Sequence, residues 1–265
     1  DAPIGNWRAK GKESSAISLF DGLKNYCDTK NLFYAKGCNL SIGPNNFFQE
    51  LSINNSDTSG FSSAIEIASN CDVVVMALGE PAFMSGEGRS RSNLDLPGIQ
   101  KQLLKKIYEV NPNVVLVLMN GRPLTIEWES DNIPSILETW HCGTMAGEAI
   151  ARILFGKENP SGKLTMTFPR NVGQIPIFYN KKSTGRPSSN PGQVFYSHHT
   201  DVSNLPLYPF GHGLSYTDFT YSDLTISSNE MNSLDTLTVG VTIENSGTVV
   251  GDEIVQLYIS DLYSS

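Results

Sequence analysis

The chain has 265 residues, of which 39% are hydrophobic and 17% are charged, so it is long enough to bury a sizeable core. Its 19 basic and 27 acidic side chains give a net charge of −8, and no basic cluster is longer than two residues. These values argue against nucleic acid and anionic membrane as partners. No apolar stretch approaches the roughly 20 residues that a membrane-spanning helix requires.

The four cysteines are widely separated and contain no C-x-x-C pair; they are Cys27, Cys38, Cys71 and Cys142. We therefore predict neither a zinc site nor a redox pair, and we expect no metal and no cofactor. Cys71 and Cys142 lie next to apolar segments, so we interpret both as small buried side chains. A Cys27–Cys38 disulfide stays open, because it depends on export of the chain.

From Ala16 to about Arg170, short β-rich apolar runs alternate with segments of helical spacing. This alternation is typical of an α/β fold with a mostly parallel sheet between helices. The predicted helices are Ala16–Tyr26, Ser62–Ser69, Ile99–Val110 and Met145–Phe155. The predicted strands are Leu32–Tyr34, Asp72–Leu78, Val114–Met119 and Ser135–Glu138, with a further extended run at Lys163–Phe168. The run 114–119 is apolar throughout, which indicates a central strand covered on both faces.

The character of the chain changes after about Asn180. A polar segment up to Pro206 predicts a long surface excursion, and its adjacent His198 and His199 lack a third ligand at metal spacing. Beyond Asp218, period-two alternation predicts three strands, within FTYSDLTIS, LTVGVTIENSG and EIVQLYISD. A β-sandwich needs about seven strands, so we interpret this all-β module as truncated.

Glu87 is the most informative candidate for chemistry. It lies in SGEGRSRSNLDLP (85–97), just beyond the apolar run 73–78, where open α/β sheets place their ligands. Gly86 and Gly88 allow a sharp turn and leave little side-chain bulk around the carboxylate. A solvated loop glutamate is the alternative that the local sequence leaves open.

Other polar residues follow the predicted strands. Glu80 is interpreted as a strand-end group that fixes the following loop through hydrogen bonds. Arg89 and Arg91 are cations that either steady Glu87 or line the site, and Arg91 is the candidate for substrate contact. Three further segments are assigned structural roles: a turn at Asn120–Pro123, interdomain or core packing at Trp140 and His141, and a link to the β-module at Pro209–Tyr216.

Several ordered motifs resemble glycoside hydrolase family 3, specifically its β-glucosidase branch. They are ALGEPAFMSGEGRSRSNLDLP (77–97), LVLMNGRPL (116–124), ILETWHCGTMAGEAIARILFGKENPSGKLTMTFPRNVGQIP (136–176), TGRP (184–187) and LYPFGHGLSYTDF (207–219). The resemblance implies a (β/α)8 barrel, then a three-layer α/β/α sandwich, then a fibronectin type III-like domain. Residues 1–213 match the sandwich and residues 214–265 the start of the third domain, whereas nothing resembles the barrel.

The resemblance also implies a mechanism. Retaining glycosidases use two carboxyl groups about 5–5.5 Å apart. In the family the barrel supplies the nucleophilic aspartate, and a loop of the sandwich supplies the acid/base glutamate, which Glu87 matches. This residue would protonate the leaving oxygen and later deprotonate the attacking water. Without the barrel we expect Glu87 to be exposed and the isolated chain to have little or no activity.

The implied function is that of a fragment of an exo-acting β-glucosidase, which acts on β-linked oligosaccharides or aryl glucosides together with the missing barrel. A β-xylosidase of the same family and a non-catalytic carbohydrate-binding or scaffold module remain open alternatives. A phosphate-binding loop at SGEGRSRS is disfavoured, because it lacks G-x-G-x-x-G and the P-loop lysine. The resemblance implies a periplasmic or secreted location, and it argues against the N-acetylglucosaminidase branch.

Overall fold

The computed structural model describes residues 2–182, 185–186 and 194–260. Its helices are α1 (Leu19–Leu23), α2 (Phe61–Ser69), α3 (Gln100–Val110), α4 (Glu127–Asn132) and α5 (Ala146–Leu154). Its strands are β1 (Ser41–Ile42), β2 (Ser52–Ile53), β3 (Val74–Gly79), β4 (Val114–Met119), β5 (Ser135–Glu138), β6 (Phe219–Ile226) and β7 (Val239–Asn245).

The central sheet is parallel, with the strand order β3-β4-β5. Parallel neighbours need a crossover, and α3 and α4 supply the two crossovers here. Since all three strands run the same way, their carboxyl ends meet at one edge, where Gly79 pairs with Met119 and Leu118 with Glu138. The predicted α/β fold with a parallel sheet is confirmed.

Helices cover both faces of the sheet because β4 is apolar on both sides. Leu116 and Leu118 are fully buried in a cluster with side chains of α2 and α3. Val117 points the other way, into a second cluster with Ala146 and Ile150 of α5. The molecule thus has the three layers, helix, sheet and helix, that alternation along a buried strand produces.

Helix α1 lies against α5 at a point where only glycines fit. A Cβ atom on Gly22 would lie 2.1 Å from the carbonyl oxygen of Gly147, and one on Gly147 would lie 2.0 Å from that of Ser18. The predicted helix Ala16–Tyr26 is observed only as the short α1. Ser18 starts it, because its Oγ accepts a hydrogen bond from the Asp21 N–H at 3.1 Å.

The other predicted elements divide into correct and wrong ones. Helices α2, α3 and α5 and strands β3, β4 and β5 lie within one or two residues of their predictions. The predicted strand Leu32–Tyr34 is wrong: the segment is irregular, and the Tyr34 ring packs on Phe20 of α1 at 5.1 Å. The run Lys163–Phe168 is also irregular, apart from a bridge between Phe168 and Tyr208.

Strands β6 and β7 form a separate antiparallel sheet, so two of the three predicted C-terminal strands are confirmed. Residues 253–260 form no strand; instead, Glu253 accepts a hydrogen bond from Tyr221 at 3.1 Å and pairs with Lys163 at 3.5 Å. The predicted link at 209–216 contacts both the C-terminal segment and α5. Gly211 O accepts a hydrogen bond from Gln256 at 3.0 Å, and Tyr216 donates one to Ile153 O at 3.0 Å.

Two predictions fall partly outside the described residues. They are the TGRP motif, of which Gly185 and Arg186 are described, and the polar excursion around 187–193. The four cysteines are free thiols. The prediction of a buried Cys142 is wrong, because it lies on an exposed turn, where its Sγ donates to Thr139 O at 2.7 Å. No helix within the described ranges has the length and apolarity to cross a membrane.

Candidate functional site

The loop that carries Glu87 begins where β3 ends. The Glu80 N–H donates to Met119 O at 2.9 Å, which is the last bond between this chain segment and β4. A short 3-10 helix, Ala82–Met84, follows, and then a turn closed by the Arg89 N–H on Gly86 O at 3.2 Å. Glu87 occupies the tip of this turn and is exposed to solvent.

The two glycines beside Glu87 have different roles. Gly86 has φ +124°, and a Cβ atom there would lie 2.4 Å from Nδ2 of Asn6. Gly88 has φ +69° and open space around it. Asn6 donates to Ser85 O at 2.5 Å, so the chain before α1 holds the start of the turn. Close backbone approach therefore requires Gly86, while Gly88 serves the left-handed turn alone.

A cavity of about 330 Å³ opens next to this turn. The cavity is lined by the N-terminal segment 4–7 and by the loops that follow β3, β4 and β5. Its lining residues are Ile4, Gly5, Asn6, Trp7, Ser85, Gly86, Gly121 and His141. His141 Nε2 lies 3.3 Å from Ser85 Oγ. His141 thus faces the cavity, whereas Trp140 packs against Phe168 with ring centroids 5.8 Å apart.

Glu80 is buried beneath the loop and binds two arginines. Its Oε1 lies 2.7 Å from Arg91 Nη1 and 3.0 Å from Arg122 Nε, and its Oε2 accepts from the Gly121 N–H at 3.1 Å. Arg122 also donates to Met84 O at 2.6 Å. Glu80 therefore ties the loop after β3 to the loop after β4, which is a structural role.

The two arginines near Glu87 in sequence are bonded to other groups. Arg91 Nη2 donates to Asp95 O at 3.0 Å, in addition to its ion pair with Glu80. Arg89 Nη2 donates to Phe47 O at 2.6 Å, which connects the Glu87 turn to the segment before β2. These bonds fix the shape of the loop, and among the described residues neither guanidinium is paired with the Glu87 carboxylate.

Glu138 is a half-buried carboxyl group at the end of β5 that no sequence motif indicated. Burial raises its pKa to about 8, and the negative charge of Glu80 adds to this rise. Hydrogen bonds from the Trp140 N–H at 2.9 Å and Asn120 Nδ2 at 3.1 Å oppose the shift. Its position after an apolar run, equivalent to that of Glu80, was the available signal.

The arrangement therefore offers one exposed carboxyl group, Glu87, beside an open cavity. The carboxyl groups of Glu80 and Glu138 lie underneath and bind arginines, amides and backbone N–H groups. Within the described ranges, no group of three or more histidine, cysteine or acidic side chains is arranged to hold a metal ion.

A parallel sheet with helices on both faces and a cavity at its carboxyl edge defines an α/β domain with its candidate site at the strand ends. Residues 1–216 match the family model for the glycosyl hydrolase family 3 C-terminal domain. The chain belongs to glycoside hydrolase family 3.

Relatives include two glycosidases of different substrate names. A β-xylosidase of Formosa agariphila is 43% identical over 94% of this chain, and a periplasmic β-glucosidase of Salmonella typhimurium is 40% identical over 99%. This chain covers 32% and 35% of those proteins, so it spans about a third of their length.

Solved structures of β-glucosidases are also similar to this chain. A β-glucosidase of Listeria innocua, solved in complex with gluconolactone, superimposes with a TM-score of 0.80 at 35% identity. The match covers 95% of this chain and 33% of that protein. The resemblance to the family that the sequence motifs indicated is thereby confirmed.

Proposed function

We propose that the chain is part of a retaining, exo-acting β-glycosidase, in which it forms the sandwich domain (1–213) and the start of a fibronectin type III-like domain (214–265). Glu87 is the acid/base residue in this proposal. The observation that carries it is the exposed position of this carboxylate between two glycines of positive φ, beside the cavity at the carboxyl edge of the sheet.

In the proposed reaction an N-terminal barrel of the same polypeptide supplies the nucleophilic carboxylate. It attacks the anomeric carbon of a β-linked oligosaccharide or aryl glycoside while Glu87 protonates the leaving oxygen. A water molecule then cleaves the glycosyl-enzyme, and Glu87 removes its proton. Arg91 belongs to this proposal as a cation on the substrate side, held on the Glu87 loop by its pairing with Glu80.

The test uses the full-length polypeptide with Glu87→Gln and a matched control, Glu109→Gln, which alters an exposed helical residue. We expect Glu87→Gln to lower kcat/KM by about 10²-fold or more for leaving groups that need protonation. The loss is expected to be smaller for a dinitrophenyl leaving group, and azide is expected to accelerate turnover of a Glu87→Gly variant by forming a glycosyl azide. Equal losses for all leaving groups, without azide rescue, would contradict the role.

Two sugars are candidates for the non-reducing end, because the relatives include a β-xylosidase and a β-glucosidase of similar identity. The sugars differ by one hydroxymethyl group. Nitrophenyl β-glucoside and nitrophenyl β-xyloside therefore form a matched pair, and the ratio of their kcat/KM values assigns the substrate. We propose the glucoside as the preferred one, with the xyloside as the second candidate.

A non-catalytic carbohydrate-binding or scaffold role is the alternative of a different class. It predicts that the isolated chain binds glucose or an oligosaccharide in calorimetry and that the full-length polypeptide does not hydrolyse it. We propose a periplasmic or secreted location, which the name of the Salmonella typhimurium relative supports. Fractionation of cells that express the full-length polypeptide tests this location.

A further inference from the structure

The segment after β5 contains a residue with a strained backbone. Trp140 has φ +50°, a left-handed conformation that bulky side chains rarely adopt. Before it, the Thr139 N–H donates to Leu118 O at 2.9 Å, and after it, the Gly143 N–H donates to Pro3 O at 2.6 Å. Strain that the surrounding structure maintains is concentrated at functional sites, so this segment is a candidate for a functional role.

Trp140 and the next residue, His141, contact different parts of the molecule. The Trp140 ring packs against Phe168, whereas His141 lines the cavity. There, His141 Nε2 lies 3.3 Å from Ser85 Oγ, within hydrogen-bonding reach. Ser85 precedes Glu87 by two residues, so this contact joins the loop after β5 to the start of the Glu87 turn.

A glycine leaves room for the contact between Ser85 and His141. A Cβ atom on Gly121 would lie 2.2 Å from Ser85 Oγ and 3.3 Å from His141 Nε2. A side chain at this position would therefore displace the Ser85 hydroxyl group. Ser85 is only 8% exposed, and its carbonyl oxygen accepts a hydrogen bond from Asn6 at 2.5 Å. Ser85 is thus held through both its side chain and its backbone.

The Glu87 turn depends on the contacts at its two ends. Glu87 itself is exposed, and Gly88 beside it has open space around it, so packing at the tip does not hold the carboxylate. At the far end, Arg89 donates to Phe47 O at 2.6 Å. The near end is Ser85, which His141 contacts.

We propose that His141 is a positioning residue, which sets the place of the Glu87 carboxylate through its contact with Ser85. This inference rests on the proposed function of Glu87. A general acid must lie within hydrogen-bonding reach of the leaving oxygen, and a small displacement of a catalytic group lowers the rate by a large factor. The strained Trp140 is the residue that precedes His141 and fixes where it enters the cavity.

A direct contact between His141 and the substrate is the competing role, because His141 lines the cavity. The two roles differ in how they depend on Glu87. A residue that acts by positioning Glu87 loses its effect when residue 87 can no longer donate a proton. A residue that contacts the substrate keeps its effect in that case.

The experiment is a double-mutant cycle in the full-length polypeptide, with release of phenol from phenyl β-glucoside as the assay. Ser85→Ala and His141→Ala are each compared in the wild-type and in the Glu87→Gln background. We expect each to lower kcat/KM about 10-fold in the wild type and to change it less than about twofold in Glu87→Gln. His141→Gln retains a side-chain N–H group and is expected to keep kcat/KM within about threefold of wild type.

The two variants remove the same contact from opposite sides, so either one carries the test if the other fails to fold. Ser63→Ala is the matched control, because it removes an exposed serine hydroxyl of α2 that donates to Gly60 O at 3.2 Å. It should leave kcat/KM unchanged. Equal losses in the two backgrounds would overturn the proposal, and so would no loss in the wild type. Failure of the Glu87 proposal is recognised separately, because Glu87→Gln alone would then have no effect, and this inference would fall with it.

Discussion

Glu80 and Arg122 lie 3.0 Å apart although they follow different strands, β3 and β4. Glu80 is buried and Arg122 is half-buried, and the pair holds the two strand-end loops that shape the floor of the candidate site. Because Arg122 also donates to Met84 O, displacement of either side chain changes the backbone that leads to Glu87. Glu80, at the end of β3, thus supports the two loops. Glu87, which is exposed and lies seven residues later, is the candidate for chemistry.

The Glu80→Gln substitution tests this support. It leaves Arg91 and Arg122 without their buried anion, so we expect the free energy of unfolding to fall by about 3 kcal/mol. Glu109→Gln removes an exposed pair with Lys106 and is expected to cost less than about 1 kcal/mol. Urea denaturation measures both values, and similar small changes in the two variants would show that Glu80 is not a support.

The two loop glycines form a second matched pair. Gly86→Ala places a Cβ atom 2.4 Å from Asn6 Nδ2 at a φ that alanine rarely adopts, so the turn must move. Gly88→Ala meets open space and carries only the strain of a left-handed residue, about 1 kcal/mol. We expect Gly86→Ala to reduce kcat of the full-length polypeptide at least tenfold more than Gly88→Ala does. Nitrophenol release under saturating substrate gives both values.

Glu138 predicts a pH dependence of stability. Its pKa is about 8 in the folded chain, against an ordinary value of 4.5. Between these values the folded state holds a proton that the unfolded state has lost, so this contribution to stability falls as pH rises. It is complete below pH 4.5 and lost as pH rises through about 8.

The Glu138→Gln variant cannot titrate at this position, so its free energy of unfolding should fall less than that of wild type between pH 5 and pH 8. Urea denaturation across this range measures the difference in slope. Glu244→Gln, at an exposed position of β7, should keep the wild-type slope. A wild-type slope in Glu138→Gln would contradict the assignment.

Gln100 supplies a fourth prediction. Its buried side chain accepts from the Gly79 N–H at 2.9 Å and donates to Gly79 O at 2.8 Å and Pro97 O at 2.9 Å. Gln100→Leu leaves these backbone groups unpaired, and we expect a loss of about 2–3 kcal/mol. Gln102→Leu, on the exposed side of the same helix, should cost less than about 0.5 kcal/mol, and thermal denaturation compares the two.

The elements that the sequence predicted well have strong local signals. The run 114–119 is apolar at every position, and 100–110 has apolar residues at helical spacing. The observed β4 and α3 match these two local patterns and their burial. The segment Leu32–Tyr34 has the composition of a strand, but its position depends on long-range packing of Tyr34 on Phe20. Such tertiary contacts override local propensity.

The site shows the same division. The position of Glu87 after an apolar strand and between glycines was visible in the sequence. Glu138 and Gln100 were not predicted, because the bond of Glu138 to Asn120 and that of Gln100 to Gly79 join different elements and arise only in the fold. The placement of His141 at the cavity likewise depends on β5 ending at the same edge of the sheet as β3 and β4, which no local pattern specifies.

Nitrophenol release from an aryl β-glucoside tests the central claim most directly. The comparison includes this chain alone, the chain extended to include its native upstream region, and the extended chain with Glu87→Gln. We predict turnover by the extended protein only, and its loss on substitution of Glu87, because in the proposed reaction the nucleophile comes from outside this chain. Turnover by this chain alone, or full activity of the extended Glu87→Gln variant, would contradict the account.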